Sequence, residues 1–120
     1  MLLVYISKTG KLDRFMEKLG HTPVLKINLG DEIVSQKFIL VTGTVGFGEV
    51  APELKAFLRG NYKYLHAVVG SGNKNWGSLY CSAAIKISER FNVPLLMKFE
   101  SSGNTHDIEL FRKILKDYAQ

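Results

Sequence analysis

A chain of 120 residues, 46% apolar and 22% charged, has the size and balance of one globular domain spanning residues 1–120. No apolar run approaches the ~20 residues of a membrane span, no secretory leader is expected before the first predicted strand, and the single cysteine, Cys81, excludes an internal disulfide and fits a reducing, cytoplasmic setting. The net charge of +5 is spread along the chain, which permits an anionic ligand or acidic partner but lacks the clustering that nucleic-acid binding requires.

The apolar run Leu2–Ile6 reads as a strand, and Ser7-Lys8-Thr9-Gly10 as the turn that ends it. Leu12, Phe15, Met16 and Leu19 then fall at i, i+3, i+4 and i+7, the stripe of a helix laid on a sheet. A strand–turn–helix of this kind aims backbone N–H groups and the positive helix end at one spot, where a phosphate binds. Ser7 and Thr9 add hydroxyls, Lys8 and Lys11 add charge, and Gly10 allows positive φ and close backbone approach. Ser and Thr are also ordinary helix caps. The pattern is neither the nucleotide-binding GxxxxGK[ST] nor the dinucleotide GxGxxG, so the expected ligand is a monophosphate.

Further along, Val24–Ile27 is a short edge strand, residues 28–37 are mixed and polar with a turn at Gly30-Asp31, and Phe38–Thr42 is a wholly apolar strand. A glycine-bearing loop, Gly43–Ala51, leads to a helix over Pro52–Arg59 with Pro52 in its first turn. Leu65–Val69 is the fourth strand and Gly70–Gly77 the loop after it. A helix is expected from Ser78 to Phe91, burying Leu79, Ala83, Ile87 and Phe91, then a strand over Val93–Phe99 and a helix over Thr105–Tyr118. Ile108, Phe111, Leu115 and Tyr118 share a face of that last helix, and Asp107 and Glu109 suit its dipole.

Wholly apolar strands separated by helices imply a parallel sheet covered on both faces. Right-handed crossovers make five such strands a flavodoxin-like three-layer α/β sandwich of order 2-1-3-4-5, with ligands at the carboxyl ends of strands 1, 3 and 4. The connection from strand 2 to strand 3, about ten residues long, leaves little room for a helix.

At that rim, the loop Thr42-Gly43-Thr44-Val45-Gly46-Phe47-Gly48 carries three glycines in six residues, implying a backbone that approaches a ligand or changes conformation. The loop Gly70-Ser71-Gly72-Asn73-Lys74-Asn75-Trp76-Gly77 holds the only tryptophan in a polar setting that core packing does not explain. Phe47 and Trp76 can each serve as loop anchors. Together they are expected to flank a slot that begins at the phosphate turn, which suits a planar ring bearing a phosphate, flavin mononucleotide (FMN).

The segments Lys8-Thr9-Gly10, Val41–Gly48, Ser71–Gly77, Val93-Pro94 and Lys98-Phe99-Glu100 through Ser102-Gly103 resemble the NrdI proteins, small flavodoxin-like proteins that support class Ib ribonucleotide reductase. The resemblance runs over essentially the whole chain. It implies a noncovalent FMN and, as partner, the reductase small subunit, with a flavoprotein or thiol system as electron source. In that family the reduced flavin converts O2 to a superoxide- or peroxide-type oxidant, which leads to the dimanganese-tyrosyl radical centre of the small subunit. The chain departs from the family's pattern at Lys11-Leu12, where Asn-Thr or Asn-Val is frequent, and at Gly43, where many relatives carry Tyr or Ser.

On this reading Ser7, Lys8, Thr9, Gly10, Lys11 and Leu12 hold the phosphate, Thr44, Val45, Gly46, Phe47 and Gly48 face the N5 edge of the ring, and Ser71, Gly72, Asn73, Trp76 and Gly77 contact its pyrimidine end. The Gly46–Phe47 peptide is expected to reorient on reduction. Lys8, Lys11 and Lys74 on these loops stand against Glu49 alone. At an effective dielectric of about 20 and ~8 Å each charge contributes roughly 2 kcal/mol before screening, so the fully reduced, anionic cofactor is expected to form at a less negative potential than in an acidic flavodoxin.

No side chain reads as an acid–base catalyst or metal ligand. His21, His66 and His106 are about 40 residues apart, without ligand spacing. Cys81 reads as a small buried apolar residue on a helix. A generic short-chain electron carrier with other clients is the nearest alternative. A phosphorylated receiver of the same strand order requires acids after strand 1 and at the end of strand 3, where this chain has Ser7 and Thr42. A nucleic-acid-binding module would want exposed aromatic platforms, whereas these aromatics sit in loops.

Overall fold

The computed structural model describes residues 1–118. Its elements in chain order are β1 (Leu2–Tyr5), α1 (Lys11–Leu19), β2 (Val24–Lys26), β3 (Phe38–Thr42), α2 (Pro52–Asn61), β4 (Leu65–Gly72), α3 (Ser82–Phe91), β5 (Leu95–Glu100) and α4 (Thr105–Tyr118), with short 3-10 helices at Tyr62–Tyr64 and Lys74–Leu79. The sheet is parallel throughout, in the order β2-β1-β3-β4-β5, as the apolar strands and helical spacers require.

Strand alternation splits the core in two. Leu3, Tyr5, Ile39, Val41, Ala67, Val69, Met97 and Phe99 face α1 and α4, where Phe15 stacks between Phe99 (ring centroids 4.1 Å) and Phe111 (5.9 Å). Leu2, Val4, Phe38, Leu40 and Val68 face α2 and α3, with Phe57 edge-on to Phe38 at 5.6 Å. All five residues of β3 are buried, since this strand has a layer on each side and a neighbour on each edge.

The connection from β2 to β3 contains no helix, in keeping with its length. Side chains hold it instead. The Glu32 carboxylate accepts the N–H groups of Asn28 (2.8 Å), Leu29 (3.2 Å) and Gly30 (3.0 Å). Burial pushes that carboxyl up, but these backbone donors outweigh it and hold the group below the ordinary range. Asn61, 2% exposed at the end of α2, accepts from Val34 N (2.9 Å) and donates to the carbonyls of Glu32 (2.8 Å) and Phe57 (2.9 Å).

Two boundaries differ from the sequence reading by more than a residue or two. β4 continues through Gly70 and Ser71 to Gly72, and α3 begins at Ser82, not Ser78. Leu79 belongs to the preceding 3-10 helix, and Phe91 is half-buried. Gly77 (φ 56°, ψ −118°) and Cys81 (φ 56°) break the helical path that the spacing of Leu79, Ala83 and Ile87 suggests. Cys81 therefore sits at the N-cap of α3, fully buried.

Asn61→Ala removes three hydrogen bonds and strands buried partners. It is expected to cost about 1–3 kcal/mol, read as a lowered urea midpoint with unchanged m-value. An unaltered midpoint would show that the helix-free connection is held by other contacts.

Candidate cofactor site

The carboxyl ends of β1, β3 and β4 open on one cavity of about 870 Å³, within the range of small-molecule sites. Of the site residues picked out in the sequence, Ser7, Lys8, Thr9, Lys11, Leu12, Thr44, Val45, Gly46, Gly48, Ser71, Gly72, Asn73 and Trp76 line it, while Gly10, Phe47 and Gly77 do not.

At β1, Gly10 is the N-cap of α1 in the left-handed conformation (φ 83°), and no side chain caps the helix. Ser7 Oγ accepts the Gly10 N–H (3.1 Å), closing the turn on itself. Asp13, in the first helical turn, does not line the cavity and is engaged by neighbours: Oδ1 accepts from Tyr5 Oη (2.8 Å) and Lys26 Nζ (2.9 Å), and Oδ2 lies 3.2 Å from the same ammonium. The leading amides of α1 are thus left for a ligand, beside Lys8 and Lys11. This donor set fits a phosphate.

The loop after β3 is a tight hairpin, with Val45 and Glu49 exchanging N–H···O bonds (3.0 and 2.7 Å) around Gly46-Phe47-Gly48. Gly46 (φ 52°) and Gly48 (φ 81°) adopt the conformation glycine tolerates. α3 anchors the hairpin base. Thr44 Oγ1 accepts from Ala83 N (3.3 Å), and Lys86 Nζ donates to the Gly48 carbonyl (2.7 Å). The Gly46–Phe47 peptide takes part in neither bridge bond.

After β4, Asn73 Oδ1 accepts from Asn75 N (2.9 Å) and starts the 3-10 helix that carries Trp76. Phe47, 78% exposed, and Trp76, 48% exposed, do not stand apart as walls of a slot. They meet edge to face, with centroids 5.9 Å apart and planes at 77°. Two exposed rings on neighbouring loops lower their contact with water by packing together. Trp76 reaches the cavity, and Phe47 covers Trp76.

The cavity has a fourth wall that the three-loop reading did not include, the end of β5 and the start of α4, with Lys98, Glu100, Ser101, Asn104 and Asp107. The signal was topological, since β5 leaves the sheet at the same rim. Ser71 Oγ donates to Ser101 O (2.6 Å), and Glu100 Oε2 accepts from Lys74 N (3.0 Å), tying this wall to the β4 loop. Tyr80 lies beneath Lys98 and Lys74 (ammonium to ring centroid 5.5 and 6.0 Å), and burial first, then Cys81 and after it the carboxylates of Glu100 and Asp107, push its phenol up to about 12.

The charge balance is milder than the loop sequences imply. Lys8 pairs with Glu53, Glu49 does not line the cavity, and Glu100 and Asp107 line it together with Lys11, Lys74 and Lys98. Asp107 and Asn104 cap α4 reciprocally, with both N–H···Oδ distances 2.9 Å.

Gly70 and Gly72 let α3 approach. A Cβ on Gly70 would lie 2.6 Å from Ala84 Cβ, and one on Gly72 would lie 2.8 Å from Cys81 N. Burial pushes the Cys81 thiol up, consistent with a packing role. His21 bonds Met1 O (2.8 Å) through Nε2, His66 packs on Tyr118, and His106 is exposed; none lines the cavity. Among the described residues no acidic, His or Cys group is arranged to hold a metal, and no helix is long and apolar enough to cross a membrane.

Sheet order, helix placement and a ligand cavity at the strand ends define a flavodoxin-like α/β protein. Solved structures that share this fold include the following two. One is a short-chain flavodoxin associated with a bacterial microcompartment (TM-score 0.68, 18% identity, 93% of this chain and 90% of that one). The other is a flavodoxin, WrbA-like protein from Agrobacterium tumefaciens (TM-score 0.63, 14% identity, 92% and 88%). The family described as "NrdI Flavodoxin like" matches residues 3–113, and Protein NrdI of Macrococcus caseolyticus (strain JCSC5402) is 44% identical over 120 residues, all of this chain and 92% of that protein. The chain belongs to the NrdI flavodoxin-like family.

Hydrogen bonding by Lys26 leads the effects that hold the Asp13 carboxyl below its ordinary range. A depressed folded-state pKa stabilises above the unfolded value, about 3.9, and the contribution vanishes as pH falls through the folded value. Lys26→Met should therefore be less stable than the parent at neutral pH, by no more than about 1 kcal/mol for so exposed a pair, and the gap should close in acid. A gap independent of pH would assign the loss to packing.

Proposed function

We propose that this chain is a single FMN-binding domain, residues 1–120, that serves a class Ib ribonucleotide reductase. The observation that carries the reading is the convergence of the uncapped α1 terminus, the Gly46–Gly48 hairpin and the Trp76 loop on one cavity in a chain of this family. Bound and reduced, the flavin would supply electrons to O2, yielding a superoxide- or peroxide-type oxidant for the dimanganese-tyrosyl radical centre of the reductase small subunit.

The remaining work falls to the protein's own groups. The turn from Ser7 to Leu12 would hold the phosphate through the leading amides of α1, with Lys8 and Lys11 supplying charge and Gly10 providing the left-handed cap. Ser71, Gly72 and Asn73 would present polar backbone to the ring system, and Trp76 its indole. Thr44 and Lys86 hold the hairpin base, and the Gly46–Phe47 peptide would be free to turn so that the Gly46 carbonyl accepts a hydrogen bond from an N–H of the reduced ring. A flavoprotein or thiol system would deliver the electrons.

The reading is tested by incubating FMN-loaded, reduced protein with a class Ib small subunit, Mn(II) and O2, and following the tyrosyl radical by electron paramagnetic resonance. Radical should form with the parent protein. Gly10→Ala, forced to keep φ near 83° at a cost of about 1–2 kcal/mol, should bind FMN roughly tenfold more weakly and activate in proportion to the FMN retained. Absence of radical with fully loaded parent protein would refute the assignment.

A further inference from the structure

A second cavity, of about 910 Å³, lies away from the cofactor rim, between α2 and α3. Its floor is aliphatic, with Leu58 and Ile87 buried, and Tyr62 and Phe91 close one end with rings stacked at 6.1 Å. Lys55 and Arg59, an i, i+4 pair, line the α2 side. Lys86 and Arg90, another i, i+4 pair, line the α3 side. All four are exposed, and among the described residues no carboxylate lines the groove. The nearby acids are elsewhere: Glu53 pairs with Lys8, and Glu49 and Glu89 do not line it.

We propose that this groove docks an acidic, extended peptide segment of a partner protein. Residues i and i+4 on a helix recur about 6 Å along its axis, and alternate residues of an extended chain recur about every 6.7 Å. Acidic side chains at every second position would therefore meet the Lys55/Arg59 and Lys86/Arg90 rails in register. The intervening side chains point to the opposite face and meet the Leu58/Ile87 floor. A bare phosphate or sulfate would use the cations and leave that floor uncovered.

The groove is also joined to the cofactor rim. Lys86 Nζ donates to the carbonyl of Gly48 (2.7 Å), so an acid that engages Lys86 competes with the bond that anchors the hairpin. The docking proposal stands on the groove's own charge and shape and does not depend on the identity of the cofactor.

The test is a fluorescence-anisotropy titration of the full chain, with and without added FMN, using a fluorescein-labelled peptide of alternating Glu and Leu. The peptide should bind, more weakly as salt rises. The double reversal Arg59→Glu/Arg90→Glu should weaken binding by about tenfold or more. Lys37→Glu/Lys113→Glu, which makes the same change in net charge outside the groove, should alter it by less than about twofold. Equal effects of the two double variants would overturn the proposal, as would displacement by AMP as effective as by unlabelled peptide. No binding to a chain that circular dichroism shows folded would also overturn it.

Discussion

A parallel sheet must send every strand-to-helix turn out of the same edge, and the rest of this molecule follows from that constraint. With β1, β3 and β4 adjacent at the centre of the order 2-1-3-4-5, their three turns become neighbours although some 60 residues separate the first from the last. The sheet is held rigid by burial on both faces. The turns, released from that packing, carry glycines, hydroxyls and exposed aromatics. Core and site thus divide the chain by position along each strand, with apolar residues in the middle and ligand-facing ones at the carboxyl end.

Local demands then shape each turn. The Ser7–Gly10 turn leaves a helix end uncapped because Gly10 adopts a left-handed cap and Asp13 is engaged by Tyr5 and Lys26. An unused helix terminus beside lysines is costly unless an anion completes it. The β3 hairpin divides its labour between an anchored base, held by Thr44 and Lys86, and a tip of Gly46 and Phe47 outside the bridge bonds. Such a division leaves the tip peptide outside the contacts that tie the hairpin to α3. The β4 loop is tied to β5 through Ser71 and Glu100, which makes the fourth wall part of the same rigid frame.

Most of the fold was legible where side chains report burial directly. The period of Leu12, Phe15, Met16 and Leu19 marked α1, all four of which are buried, and the unbroken FILVT run marked the fully enclosed β3. The failures came where packing acts through absent side chains. Gly70 and Gly72 read as loop residues, yet they are strand positions kept bare because Ala84 and Cys81 press on them. Leu79 fell in helical register with Ala83 and Ile87 while lying outside α3, because left-handed Gly77 and Cys81 redirect the chain between them. In the site, the three-turn cavity was foreseeable from strand order. The contact of Phe47 with Trp76, the Lys8–Glu53 pair and the Glu100/Asp107 wall were not, since each joins residues distant in sequence by tertiary approach alone.

The central claim is that these turns together hold a flat ring bearing a phosphate, and the most direct measurement is a comparison of FMN with riboflavin by flavin-fluorescence titration of the purified chain. The account predicts saturation at one FMN per chain and much weaker binding of riboflavin, which lacks the phosphate that the α1 terminus would receive. Failure to take up FMN, or equal affinity for the two flavins, would contradict it.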